Sequence, residues 1–281
     1  MRAGVRQGGV LSPLLFAIFI DNIVHSVRST SAGCYMSCVC CSIFLYDDDI
    51  LLISPSVSGL QILVDACERE LINIDMKVNV KKSSCIRFGP RFDAQCADII
   101  SVFGGTISWV ESCRYLGVFF VSARIFQCSF HDAKSRFFRG FNAIFGKVGR
   151  FASEEVVIAL LKAKCIPILL YASEAAPLFS RHKQSMEFTI TRIFMKLFST
   201  GSSDVVNECL FRFNFLPINL QLYIRTARFL QRFLALENSL CYVFADIART
   251  QLSLIFSRFG SDIKTACQLN NAIYDKYTQD H

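Results

Sequence analysis

Ile43-Phe44-Leu45-Tyr46-Asp47-Asp48-Asp49-Ile50-Leu51-Leu52-Ile53 sets three adjacent acids between two strongly apolar runs. Aliphatic and aromatic residues on both sides predict two strands, and the acids predict the turn that joins them. Three neighbouring carboxylates beside a low-dielectric core repel one another unless a cation neutralises them. A hairpin that lifts carboxylates above a buried sheet suits a hard divalent ion such as Mg²⁺, which prefers oxygen ligands. The same residues also make an ordinary exposed acidic turn, and the segment alone does not choose between the two.

Outward from this turn, the first half of the chain alternates strand and helix signals. Leu11 to Ser26 predicts a helix entered through Ser12-Pro13, with serine as cap and proline at the first helical position. Cys34 to Leu45 and Ile50 to Ser54 predict strands, and Cys38, Cys40 and Cys41 are expected as buried strand residues. Ser56-Val57-Ser58-Gly59 opens a helix whose apolar positions Leu60, Leu63, Val64, Cys67, Leu71 and Ile74 recur at helical spacing. Short strands are expected at Met76 to Val80, Ser84 to Phe88 and Tyr115 to Val121. From about Phe126 the pattern turns helical, with stripes at Phe137 to Val148, Val156 to Leu170, Ser185 to Phe198 and Leu220 to Leu236. The expected architecture is therefore an α/β layer followed by a helical region, with the join near residue 122.

Composition narrows the function classes. Of 281 residues, 52% are hydrophobic and 19% charged, which excludes a disordered chain. Mean hydropathy is +0.38, yet neither long apolar run meets the requirement of about 20 uninterrupted residues for a membrane span. Val10 to Ile20 ends at Asp21, and Val156 to Ala172 carries Lys162, Lys164 and Pro167. Pro13 and Asp21-Asn22 also spoil the first run as a secretory leader, so an intracellular protein without membrane insertion is expected. The 13 cysteines are odd in number and scattered through apolar segments, favouring reduced core thiols over a disulfide framework. Charge is unevenly spread. Residues 1–122 hold 10 Lys/Arg and 11 Asp/Glu, whereas residues 123–281 hold 20 and 12, a net of +8. Such a basic half suits a polyanion, or simply a solvated helical surface.

Four stretches in order resemble the reverse transcriptases of non-LTR retrotransposons. Gly4-Val5-Arg6-Gln7-Gly8-Gly9-Val10-Leu11-Ser12-Pro13-Leu14-Leu15-Phe16 resembles the family's template- and nucleotide-binding segment, and Phe44 to Asp49 its tyrosine-x-Asp-Asp turn. Asn79-Val80-Lys81-Lys82-Ser83 resembles the following lysine motif, and Tyr115-Leu116-Gly117-Val118 the primer-grip hairpin. The resemblance implies an α+β fold: a partial polymerase palm, an antiparallel sheet with helices on one face, over residues 1–122, and an all-helical thumb and connection region over 123–281. It implies Asp48 and Asp49 as ligands of a two-Mg²⁺ site, with Tyr46 near the primer end or incoming nucleotide. Gln7, Gly8, Ser12 and Pro13 would line the nucleotide and template pocket. Lys82 would neutralise departing pyrophosphate, or else be a solvated strand-end lysine beside Lys81. Tyr115, Leu116 and Gly117 would support the primer strand. The implied partners are an RNA template, a DNA primer and deoxynucleotides.

Two departures from the family pattern bear on activity. Asp47 stands where the family usually has a small residue, adding repulsion and bulk that would clash inside the sheet. The alternative is an Asp47 that points outward. Met1 also lies just upstream of Gln7, so the strand that carries the family's other catalytic aspartate is expected to be missing and the chain inactive alone. The other readings are a non-catalytic nucleic-acid-binding remnant and the product of a decayed element.

Overall fold

The acidic turn is a tight hairpin. In the computed structural model, which describes residues 11–149 and 151–279, β3 (Ile43–Tyr46) and β4 (Asp49–Leu52) pair antiparallel in the register Ile43–Leu52, Phe44–Leu51, Leu45–Ile50 and Tyr46–Asp49. Upstream come α1 (Ser12–Phe19), α2 (Asp21–Ser29), and a small hairpin of β1 (Tyr35–Met36) with β2 (Val39–Cys40). Downstream come α3 (Val57–Asn73), β5 (Ser84–Cys85), β6 (Ile99–Ile100), β7 (Thr106–Trp109) and β8 (Ser112–Tyr115). The period-2 rule puts Ile43, Leu45, Ile50 and Leu52 on one face of the hairpin. All four pack on the cluster of Ile23 and Val27 from α2 with Leu63, Ala66, Cys67 and Leu71 from α3. The helices thus cover one face, and the turn rises from a sheet they anchor.

Several expectations change here. The predicted first helix breaks at Ile20 into α1 and α2, and its N-cap is Leu11 rather than Ser12. The sheet is not one antiparallel layer but small separate sheets, and β5 runs parallel to β7 in the order β5-β7-β6. Ile99, Ile107, Cys85 and Val64 close that sheet onto α3. Met76 to Val80 forms no strand: Asp75 takes φ +56° after α3, and Met76 N–H returns to Leu71 O, turning the chain back along the helix. Met76 and Val78 still pack on the α2–α3 core, which accounts for their apolar character. Cys38 is exposed with φ +65° in the β1–β2 turn, Cys40 is half-buried in β2, and Cys41 is buried.

The chain divides into two compact units. The described residues up to Cys113, with Ser122–Ile125, form the first; Arg114–Val121 and the described residues from Phe126 form the second. In the second, β9 (Val118–Val121) pairs with β10 (Gln127–Ser129), so this part is not wholly helical. Then follow α4 (His131–Val148), α5 (Glu154–Leu160), a π-helical turn (Leu161–Cys165), α6 (Ile166–Leu169), α7 (Ser180–Leu197), α8 (Ser203–Arg212), α9 (Ile218–Leu234), α10 (Ser239–Val243), α11 (Ala245–Ser257) and α12 (Ala266–Gln279). One core joins Phe137 and Phe141 of α4 to Leu161, Met186, Ile190 and Phe194; a second joins α9, α11 and α12. No described helix is long and apolar enough to cross a membrane.

Candidate active site

Asp47 and Asp48 are the two residues linking β3 to β4. Asp47 carries the turn with φ +53°, a left-handed conformation that aspartate tolerates better than bulkier residues. Its side chain is exposed, as are those of Tyr46, Asp48 and Asp49. The clash expected of Asp47 inside the sheet therefore does not arise: the residue occupies the turn, not the pleat. No described cation forms an ion pair with these three acids. Water screens their mutual repulsion, so an exposed tip can carry three charges that a buried one could not.

The carboxylates of Asp48 and Asp49 are hard oxygen donors at consecutive positions of one turn. Mg²⁺ is commonly held by one or two carboxylates, the rest of its octahedron coming from water and substrate phosphates. The pair fits that partial role. Among the described residues no group of three or more His, Cys, Asp and Glu is placed to hold a metal ion, so a complete protein cage is not formed by them.

The other expected site residues fall on different elements. Ser12 and Pro13 lie at the start of α1, the proline within its first two positions. Gln7 and Gly8 lie outside the described residues. Lys82 is exposed in a turn, not at a strand end: its N–H donates to Asn79 O at 2.9 Å and Asn79 Oδ1 at 3.3 Å. Among the described residues no ion pair joins its ammonium to the acidic turn.

Tyr115, Leu116 and Gly117 form the tip between β8 and β9, with Leu116 at φ +46° and Gly117 at φ +82°. Successive positive φ values are those of the tight hairpin turn whose twist matches paired strands. Tyr171 Oη donates to Leu116 O at 3.0 Å, and a β-carbon on Gly117 would meet the Tyr171 ring at 3.1 Å. The glycine thus serves both backbone conformation and close packing. The sequence alone did not single out Tyr171, which lies 55 positions from its partner and in no motif.

The family model described as reverse transcriptase (RNA-dependent DNA polymerase) matches residues 1–120. Those residues are reverse-transcriptase sequence. The chain is also 25% identical over 135 residues to a Drosophila melanogaster protein, the retrovirus-related Pol polyprotein from type-2 retrotransposable element R2DM. That similarity covers 45% of this chain and 12% of the polyprotein's length. The residues matched by the family model contain the β3–β4 turn and the β8–β9 tip.

Proposed function

We propose that this chain contributes to RNA-directed DNA synthesis, with the β3–β4 turn as part of a polymerase metal site. The observation that carries the reading is the pair Asp48 and Asp49, exposed at the tip of a helix-backed hairpin within the matched residues. In this proposal residues 1–122 are part of a palm, and residues 123–281 a thumb and connection region.

Asp48 and Asp49 would hold divalent metal, the remaining ligands coming from nucleotide phosphates, water and a carboxylate outside the described residues. Bound there, Mg²⁺ would supply Lewis acidity and charge neutralisation at the transferring phosphate. Asp48 is the principal ligand and Asp49 its neighbour. Tyr46, 62% exposed at the end of β3, offers a flat face to the primer end or the incoming base. Lys82 offers a positive charge to pyrophosphate. Gln7, Gly8, Ser12 and Pro13 belong to the nucleotide and template pocket, and the Tyr115–Gly117 tip bears on the primer strand.

The test is extension of a DNA primer on an RNA template in Mg²⁺, using a polypeptide that includes this chain and the complementing carboxylate. Asp48→Ala is expected to lower the rate by at least about 100-fold, as loss of a group stabilising transition-state charge does. Extension indifferent to Asp48→Ala would overturn the assignment.

A further inference from the structure

The second unit contains a cavity of about 370 Å³ between β10, the start of α4 and the start of α7. Its lining is rich in donors: Lys134, Arg181, His182, Gln127, Ser129 and Ser185 all face it, and no acid does. Among the described residues no carboxylate pairs with either cation. Lys134 Nζ donates to Ser185 Oγ at 2.7 Å, and Arg181 Nη2 to Gln127 Oε1 at 2.9 Å. These neutral partners hold the charges in place without cancelling them.

Two further features favour an anion. Both α4 and α7 are 18-residue helices whose first turns border the cavity; neither N-cap residue caps with its side chain, and at α4 Ser129 Oγ accepts from His131 N–H at 3.4 Å while Asp132 lies in the first turn. Each helix start brings the positive end of its dipole and N–H groups suited to oxyanions. His182 is the second feature. Arg181 Nε–H lies 3.4 Å from His182 Nε2, which assigns the proton of a neutral ring to Nδ1. That Nδ1 is buried and has no hydrogen-bond partner, and a buried unpaired donor costs about 1–3 kcal/mol. Burial, then Arg181 and Lys134, holds the imidazole below the usual histidine range. The ring packs between Phe130 and Phe179 and thus holds an unpaired donor beside two cations. The volume equals about a dozen waters at ~30 Å³ each, enough for a phosphate group and its attached sugar.

We infer that this cavity is a phosphate site, in which Lys134 and Arg181 hold a tetrahedral oxyanion with the hydroxyls of Ser129 and Ser185 as further ligands. The phosphate has two available sources, the backbone of a nucleic-acid strand or free inorganic phosphate. A nucleic-acid source rests on the function proposed above; the phosphate chemistry does not.

The experiment compares the full chain with its K134Q/R181Q and R181K variants, each checked for an unchanged melting temperature. In the first arm, binding of an RNA–DNA hybrid is measured across salt concentrations. In the second, inorganic phosphate is titrated while the His182 ring resonances are followed. A backbone site predicts about tenfold weaker hybrid binding in K134Q/R181Q, with a log–log salt slope smaller by about one. R181K would recover part of that loss. A free-phosphate site predicts that phosphate moves the His182 resonances of the parent and not of K134Q/R181Q, with hybrid affinity unchanged. Hybrid binding and His182 resonances that both ignore the double substitution would overturn the inference. The response of His182 to inorganic phosphate does not involve the β3–β4 turn, which separates this result from failure of the polymerase reading.

Discussion

Asp47 holds the acidic turn in a left-handed conformation, φ +53°, and this sets what its replacement costs. Asparagine shares the local side-chain bonding that tolerates such a backbone, whereas a β-branched side chain does not. Asp47→Asn is therefore expected to change stability by less than about 0.5 kcal/mol, and Asp47→Val to lower it by about 1–2 kcal/mol. Urea unfolding checks both, and equal losses would mean that the turn conformation does not matter. Thiols provide another residue-scale test. Burial pushes Cys67 up to about 12, with Glu68 adding to it, and Cys85 to about 11, while Cys38 and Cys267 are exposed. Iodoacetamide at pH 8 should modify Cys38 and Cys267 first and leave Cys67 and Cys85 unmodified until unfolding, as mass spectrometry can read. The carboxylates of the turn were legible in the sequence because charge between apolar strands is a strong pattern. The fate of Cys38 was not, because a turn at φ +65° leaves no mark in an apolar composition.

The helix α3 shows why some elements are legible. Ser56 Oγ accepts from Gly59 N–H at 3.0 Å and caps the helix, and Ser56→Ala should cost about 1 kcal/mol. A melting shift indistinguishable from zero would count against the cap. Its apolar stripe buries Leu63, Cys67 and Leu71 against the β3–β4 hairpin, the period that the sequence displays. The stripe from Val156 to Leu170 was legible as helical but not as three pieces. Pro167 has no N–H and its ring crowds the preceding turn, and the chain widens into a π turn at Leu161–Cys165 immediately before it. That turn also carries Lys162, whose Nζ donates to Phe213 O and Asn214 O at 2.8 and 2.9 Å just beyond α8. Strands β5, β6 and β10 are two or three residues long, too short for alternation to declare them. The parallel pairing of β5 with β7 joins segments over 20 positions apart, which local patterns do not encode.

At the scale of the whole chain, the mixture of helix and sheet was legible, and so was the passage from alternating elements to helices. The basic second half was legible as charge, but its convergence was not. Lys134 and Ser185, joined in the cavity, are 51 positions apart, and only packing brings α4 to α7. Long-range burial also produces Glu187, whose carboxylate on α7 accepts from the first N–H of α9, Ile218, at 2.8 Å. Burial raises its proton affinity above that of an ordinary glutamate, against the opposing effect of hydrogen bonds from the Ile218 and Asn219 backbone. A raised folded-state value means that its contribution is fully present below the ordinary glutamate range and is lost as pH rises through the raised value. Glu187→Gln should thus match the parent near pH 4 and become the more stable of the two toward neutrality. Denaturant unfolding across that range checks the sign, and a parent that gains on the variant as pH rises would contradict it.

Asp48 and Asp49 are proposed to be metal-binding carboxylates. Paramagnetic broadening by Mn²⁺, read at the backbone amides of this chain with a deoxynucleoside triphosphate present, tests this most directly. The account predicts broadening centred on residues 46–50 at low Mn²⁺ and its loss in Asp48→Asn/Asp49→Asn. Broadening spread evenly over the exposed acids, and unchanged by that double substitution, would contradict it.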